Sequence, residues 1–302
     1  MSNITASQSQ NVTKVTPVSQ PARGLSMGQR RALDLLGSYL LLLAGSAILL
    51  IPLFWMVSTS LKSLDEVYVY PIRWIPSKLI WQNYLDVFKN VPFGRYLLNS
   101  VEISLFGIVG NLIGSSLAAF SFARMRFPGK NFLFLVMLST MMVPAWVTMI
   151  PHFILFKWLG WLDSYLPILV PAYFAVPFYT FLLRQFFLGI PLDLEDAARI
   201  DGCSSFGIYW RIFLPLAKPA LATVAIFSFF YYWNDLLYPL IYLQSQDKFP
   251  VPMGIATFRG EQYANFALMM AASTMALAPL VLVFFLAQRL FIQGVVITGV
   301  KG

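Results

Sequence analysis

The sequence predicts an all-α integral membrane fold with six transmembrane helices, and three observations carry that expectation. Only 11% of its 302 residues are charged while 58% are hydrophobic, against about 25% charged in a soluble domain. Mean hydropathy is +0.70 and 16% of residues are aromatic, which needs hydrocarbon rather than water around most of the surface. The sparse charges also leave uncharged gaps of the ~20 residues a helix takes to cross a bilayer. A water-soluble fold of this size is excluded.

Taken in chain order, residues 1–33 read as a disordered cytoplasmic tail. Met1–Met27 is rich in Ser, Gln, Thr and Asn and has no apolar run of signal-peptide length. Segment 34–94 holds the first span, Leu35–Leu61, and an external connection whose Pro71, Trp74, Pro76, Trp81 and Tyr84 predict an ordered cap at the membrane surface. The core, 95–290, holds the spans Ile103–Ala123, Asn131–Phe156, Ser164–Leu183 and Pro219–Tyr242, and a sixth between Glu261 and Arg289. Residues 291–302 form a short cytoplasmic tail. Met137, Met141 and Met142 followed by Pro144 and Pro151 predict an adaptable, kinked third span, and Glu102 is expected to snorkel or pair with Arg95.

Orientation follows from the basic residues. With the N-terminal tail inside, thirteen of the 21 Lys and Arg fall on the cytoplasmic side, three of them in the tight loop Arg124–Lys130, and both termini are assigned to the cytoplasm. The formal charge of +8 is then topology. It does not call for a polyanion, and no nucleic-acid partner is expected. One cysteine, Cys203, and one histidine, His152, exclude a disulfide, a thiol-held metal and the paired-histidine zinc motif. His152 is expected to be a helix-end residue. Nothing pairs a nucleophile with a base, so no catalytic residue and no metal ligand is assigned.

The long inside loop between spans four and five predicts two short helices with a break. Pro191 suits a first helical turn, Asp193, Glu195 and Asp196 favour the positive end of a helix dipole, and Asp201-Gly202 supplies a chain reversal. Ser204 or Ser205 then caps the next helix, and Ala197 and Ala198 allow close packing in a groove of another protein. A solvated, charged surface helix is the plainer alternative for the charges alone.

The fifth span carries a carboxylate, Asp235. A charge there costs on the order of 3 kcal/mol on insertion scales, so it faces protein or water rather than lipid. Read as a continuous helix, Tyr231, Asn234, Asp235, Tyr238 and Tyr242 share one face. Amide, carboxylate and phenol groups suit sugar hydroxyls, and rings suit sugar C–H faces. Pairing with another helix, or holding a gate, explains the same residues.

Spacing adds to this reading. Asp196-Ala197-Ala198, then Gly202 after three residues, then Ile212-Phe213-Leu214-Pro215 after nine more, resembles the signature loop of inner-membrane permease subunits of binding-protein-dependent ABC importers. That pattern is Glu-Ala-Ala, three residues, Gly, nine residues, Ile, one residue, Leu-Pro, and Asp196 stands here where it has Glu. Asn99-Ser100, Arg126-Phe127-Pro128-Gly129-Lys130, Trp233-Asn234-Asp235, Tyr238-Pro239-Leu240 and Gly299-Val300-Lys301-Gly302 resemble the carbohydrate branch, specifically its maltose-type second permease. The resemblance covers about residues 35–302.

It implies a type I ABC importer transmembrane domain in the prokaryotic inner membrane. Its loop is a cytoplasmic coupling helix, with Glu195, Asp196, Ala197, Ala198, Asp201, Gly202, Leu214 and Pro215 facing the ATPase. Its partners are a second homologous permease, a dimeric ABC ATPase and an extracytoplasmic sugar-binding protein. The only Gly-Lys pair, Gly129-Lys130, lacks the flanking residues of a phosphate-binding loop, so ATP and Mg belong to partner subunits and this chain needs no cofactor. The implied solute is a di- or oligosaccharide, a sugar derivative or a polyol, with Tyr231, Asn234, Asp235 and Tyr238 along its path. An ion-coupled secondary transporter and an ABC permease for a non-sugar solute are the alternatives.

Overall fold

The computed structural model describes residues 27–259 and 265–296. Its first helix, α1 (Met27–Ser60), is 34 residues long. It begins at Met27, so residues 27–33, assigned to the tail on their charge, are helical. Gln29, Arg30, Arg31 and Ala32 are good helix formers and prolong the helix past its apolar stretch. The rest of the expected tail, 1–26, lies outside the described residues. The chain divides after Leu53 into two units. In the first, the apolar stretch of α1 buries none of its residues inside the chain; Leu40–Leu43 and Ile48–Ile51 all point outward. A helix apolar all round and unburied has lipid as its solvent.

The second unit starts at Phe54. Its connection from 62 to 92, with α2 (Leu64–Val67) and α3 (Gln82–Asn90), is ordered, as its ringed side chains predict. Buried Lys62 donates to the Arg73 carbonyl at 2.6 Å and lies 3.9 Å from the Trp55 ring centroid. Asn83 Nδ2 donates to the carbonyls of Ser60 and Lys62 at 2.8 and 2.9 Å. Ser77 gives Glu66 both its backbone N–H and its hydroxyl, which holds that carboxyl below the usual range.

The centre of the unit is α4 (Phe93–Arg124), whose apolar stretch is half buried. Its buried line is small and polar: Asn99, Ser100, Ser104, Gly107, Gly110, Asn111, Ser115 and Ser116. At its glycines, which carry no side chain, neighbouring elements approach closely. A Cβ on Gly107 would sit 2.3 Å from the Tyr232 ring, and one on Gly114 2.5 Å from the Tyr173 carbonyl oxygen.

The third span is broken. α5 (Lys130–Ser139), with a 3-10 turn to Met142, and α6 (Ala145–Trp158) meet at 101°. Val143 is extended (φ −80°, ψ 117°) because Pro144 disfavours helix in the residue before it. The expected kink is therefore at Pro144, and Pro151 stays inside α6. The fourth span is α7 (Leu166–Leu169), a 3-10 turn over Val170–Tyr173, and α8 (Pro177–Leu188). After it come α9 (Leu192–Ile200), α10 (Ser205–Ile208), a π turn over Tyr209–Phe213, α11 (Leu214–Leu216), α12 (Lys218–Asn234), α13 (Leu237–Tyr242), α14 (Val251–Ala256) and α15 (Phe266–Val296).

The fifth span is not the continuous helix Pro219–Tyr242 that its composition predicts. α12 ends at Asn234, and Asp235 is extended (φ −70°, ψ 114°). Its Oδ1 accepts the Tyr238 N–H at 3.2 Å and so caps α13; a short polar side chain has outcompeted the backbone ladder. At its other end α12 meets the Ser205–Leu216 segment at 78°. The last helix runs to Val296, so residues 291–296, set aside as tail, continue it; 297–302, with Gly299–Gly302, lie outside the described residues. Among the described residues, four helices are long and apolar enough to cross a membrane, or six when each bent pair is one span.

At ~1.5 Å per residue the 32 residues of α4 separate two ends by ~48 Å. At its start Asn99 Nδ2 donates to the carbonyls of Asp247 and Phe249 at 2.8 and 2.9 Å, and Ser100 Oγ accepts the Val251 N–H at 2.8 Å. Arg95 donates to the Asp247 carbonyl rather than pairing with Glu102. Asp163 joins the same knot, accepting from the backbone of Gln244 and Ser245 at 3.0 and 2.9 Å and from Lys248 Nζ at 2.8 Å. At the other end, Arg124 meets α9.

Candidate functional site

α9 is built as its residues predict. Pro191 stands at its N-cap, Asp193 and Glu195 lie in its first turn and Arg199 in its last. It ends in paired bonds from Gly202 N–H to the Arg199 carbonyl (3.0 Å) and from Cys203 N–H to the Ala198 carbonyl (2.9 Å). That reversal needs a left-handed residue just past the helix, and Gly202 takes it at φ +79°. Of the two candidate caps, Ser204 is the one used: its hydroxyl accepts the Gly207 N–H at 3.2 Å.

The two adjacent carboxylates divide. Glu195 is 5% exposed; it accepts from Arg199 Nη2 at 2.7 Å and lies 3.9 Å from Arg124 Nη1. Arg124, the last residue of α4, also donates to the carbonyls of Phe187 and Ile190 and sits 5.0 Å from the Phe213 ring centroid. One guanidinium therefore joins α4, the end of α8, α9 and the π turn. Ala198 is buried in the same core as Phe120, Leu183, Phe187, Ile208 and Phe213, and Leu214 packs against it half-buried. Facing away are Asp196, Ala197, Asp201, Gly202 and Pro215, with Leu192, Leu194 and Ile200, the last 87% exposed. The sequence identified the proline, the reversal at Gly202 and the serine cap of this loop, but not the inward turn of Glu195, Ala198 and Leu214 or the part played by Arg124, which entered only as a topological charge. No local pattern separates it from Arg126 or Lys130.

A second feature lies near the middle of α4, a cavity of about 390 Å³. Its wall takes Asn111 from α4, His152 and Phe156 from α6, Tyr179 from α8, Tyr231 and Tyr232 from α12, and Asp235, Tyr238 and Tyr242 from the broken end of the fifth span. Tyr231, Asp235 and Tyr238 are brought together in this wall. Asn234 is not: its Nδ2 turns back to the Phe230 carbonyl at 2.8 Å, because a residue in the last helical turn meets the carbonyl four before it. His152 is mid-helix in α6 rather than at a helix end. Asn111, which the sequence reading passed over, was findable as an amide inside an apolar span; its Nδ2 donates to Ser228 Oγ at 2.9 Å.

Fold and loop together define a multi-pass helical membrane permease. Residues 110–297 match the family model of the binding-protein-dependent transport system inner membrane component, and the chain belongs to that family, the one its loop resembles. It is a transport permease subunit. It is 37% identical to the arabinooligosaccharides transport system permease protein AraQ of Halalkalibacterium halodurans, over 83% of this chain and 91% of that protein. It is 31% identical to the diacetylchitobiose uptake system permease protein NgcG of Streptomyces coelicolor, over 89% of each. The sn-glycerol-3-phosphate transport system permease protein UgpE of Pectobacterium atrosepticum is 33% identical, over 88% and 97%. A chain of a bacterial ABC transporter involved in the import of the acidic polysaccharide alginate superposes with a TM-score of 0.75 and 25% identity, over 89% of this chain and 99% of that one. The fold is that of a type I ABC importer transmembrane domain.

Proposed function

We propose that this chain is one of two permease subunits of an ATP-driven ABC importer for a sugar, and that α9 is the helix through which the ATPase moves it. The observation carrying this reading is the division of α9. Glu195 and Ala198 tie it to the spans, while Asp196, Ala197 and Ile200 present a mixed acidic and apolar surface outward. A short helix clamped on one side and bare on the other passes a rigid-body displacement from a docked partner to the bundle. Asp196, not Glu195, is the carboxylate offered to that partner.

In this reading a second, homologous permease completes the path, and two ATPase subunits holding ATP and Mg seat on α9 and its counterpart. A sugar-binding protein delivers solute at the end of α4 that carries Asp163 and Asn99. The α9 end and both termini are cytoplasmic. Sugar transport is supported by the relatives that handle arabinooligosaccharides and diacetylchitobiose; glycerol 3-phosphate, handled by another, is the non-sugar outcome to test against. Tyr231, Asp235 and Tyr238 line the path, and Asn234 contributes only to its helix.

Purification through a tag on this chain should bring down an ATPase whose turnover rises with a solute-loaded binding protein. In that complex Gly202→Asp should leave the chain inserted but separate ATP hydrolysis from uptake, since an L residue resists the left-handed backbone the reversal requires. Wild-type uptake by this variant would remove the coupling role of the loop.

A further inference from the structure

Three buried polar atoms in the wall of the mid-bundle cavity have no hydrogen-bond partner among the described residues: Asn111 Oδ1, Asp235 Oδ2 and Tyr242 Oη. Asn111 and Tyr242 are each only 2% exposed, so bulk water does not serve them cheaply. An unpaired buried polar group is costly, and three lining one space, one from α4 and two from the broken end of the fifth span, indicate that the space is built to receive hydrogen bonds. Asn111 is held by Ser228, and Asp235 is fixed through its other oxygen as the cap of α13. Both are pre-positioned. The cavity volume falls within the range of small-molecule pockets, about 300–1,000 Å³.

Their chemistry restricts the occupant. Two of the three, the carboxylate oxygen and the amide oxygen, only accept, and the phenol both donates and accepts. The occupant must therefore bring donors. Among the described residues the wall holds one carboxylate, one imidazole, His152, and neither Lys nor Arg. Around the polar atoms lie ring faces: Tyr238 and Tyr242 stack 6.2 Å apart, and Phe156 meets Tyr242 edge-on at 5.4 Å. Sugar hydroxyls supply the donors and sugar C–H faces suit the rings. A carboxylate or phosphate leaves the Asn111 and Asp235 oxygens without donors and places a like charge beside Asp235 in a poorly solvated space.

We infer that this cavity is a solute-selective site that accepts uncharged polyhydroxylated solutes and rejects anionic ones, with Asn111, Asp235 and Tyr242 as its polar contacts. The inference rests on the proposed role as a sugar permease and narrows it to uncharged sugars and polyols. The acidic cargo of the alginate transporter, which shares this fold, and glycerol 3-phosphate are both outside that class.

The test uses the whole importer in proteoliposomes, with Cys203→Ser removing the one native thiol and Val176→Cys placing a new one in the cavity wall. Ile168→Cys is the second position should the first misassemble. Methanethiosulfonate reagents carrying a positive charge, no charge or a negative charge serve as probes. The anionic reagent should react about 10- to 100-fold more slowly than the cationic one, the ratio expected when one charged hydrogen-bonding group of about 1.5–3 kcal/mol decides. Asp235→Asn should abolish the difference. Equal rates for all three reagents, a preference untouched by Asp235→Asn, or no labelling at either position would overturn the inference, as would import of glycerol 3-phosphate by the unmodified importer. Binding-protein-stimulated ATP hydrolysis, measured on the same vesicles, tests the permease reading separately. Its absence sinks that reading whatever the labelling shows, and its presence with uniform labelling sinks only the selectivity.

Discussion

The reversal at Gly202 precedes the fifth span and the break at Asp235 lies within it, and each interrupts a helix and starts another within three residues. They do so by different physics. At Gly202 the chain turns because one residue without a Cβ takes φ +79°, and proline, acids and serine around it all favour the same turn. At Asp235 no residue obliges a break. The chain passes through Trp233-Asn234-Asp235-Leu236-Leu237, and the helix stops because the Asp235 side chain caps the next one while Trp233 is anchored by its indole N–H on the Ala276 carbonyl at 3.0 Å. The first break is local and the second tertiary. The first shapes an exposed helix face, and the second turns a carboxylate into a cavity.

That contrast can be broken at three points. The largest effect belongs to Arg124, which ties α9 to the ends of α4 and α8. Arg124→Ala leaves Glu195 buried with only the half-exposed Arg199 beside it. Breaking a buried pair costs about 3 kcal/mol or more, so the assembled complex should melt several degrees lower and hydrolyse ATP with little uptake. A melting curve and an ATP-to-solute ratio equal to wild type would show that α9 is held by its apolar core alone.

A smaller effect is expected at the other break. Asp235→Ala removes the cap of α13 and should cost about 1 kcal/mol, whereas Asp235→Asn keeps a capping oxygen and should leave stability unchanged. Thermal unfolding of both variants separates the cap from the solute contact, because only the uptake defect should be common to the two. Equal destabilisation by Asn and Ala would mean that the charge, rather than the cap, sets the break.

The smallest effect is a pH dependence at the end far from α9. Lys248, Ser245 and the backbone of Gln244 hold the Asp163 carboxyl well below the usual carboxylate range. A carboxyl lowered on folding contributes stability that is complete above its unfolded pKa of about 4 and is lost as pH falls toward the folded value. The loop from 243 to 251 should therefore loosen below pH ~4, and Asp163→Asn should flatten that acid limb. Amide exchange of residues 244–248 across this range is the check, and parallel pH profiles for variant and wild type would assign the knot to Asn99 instead.

What could be read from the sequence follows the same division. Gaps between charges located the spans, since an apolar helix is the only local structure those segments can form in lipid. Pro191, Gly202 and Ser204 wrote the loop between spans four and five in local rules, and Pro144 wrote the bend of the third span. The Asp235 break, the inward turn of Glu195 and the role of Arg124 were not legible, because each depends on what packs against it from elsewhere in the chain. The periodicity that put Asn234 and Asp235 on one face assumed a helix that the Asp235 side chain itself ends.

The central claim is that the outward face of α9 is the seat of the ATPase, and Ile200 is its most exposed apolar residue. With Cys203→Ser as background, Ile200→Cys should be shielded from a water-soluble thiol reagent in the assembled complex and should cross-link to the ATPase subunit with a short bifunctional reagent. Full solvent labelling of Ile200→Cys in an actively transporting complex, with no cross-linked product, would contradict it.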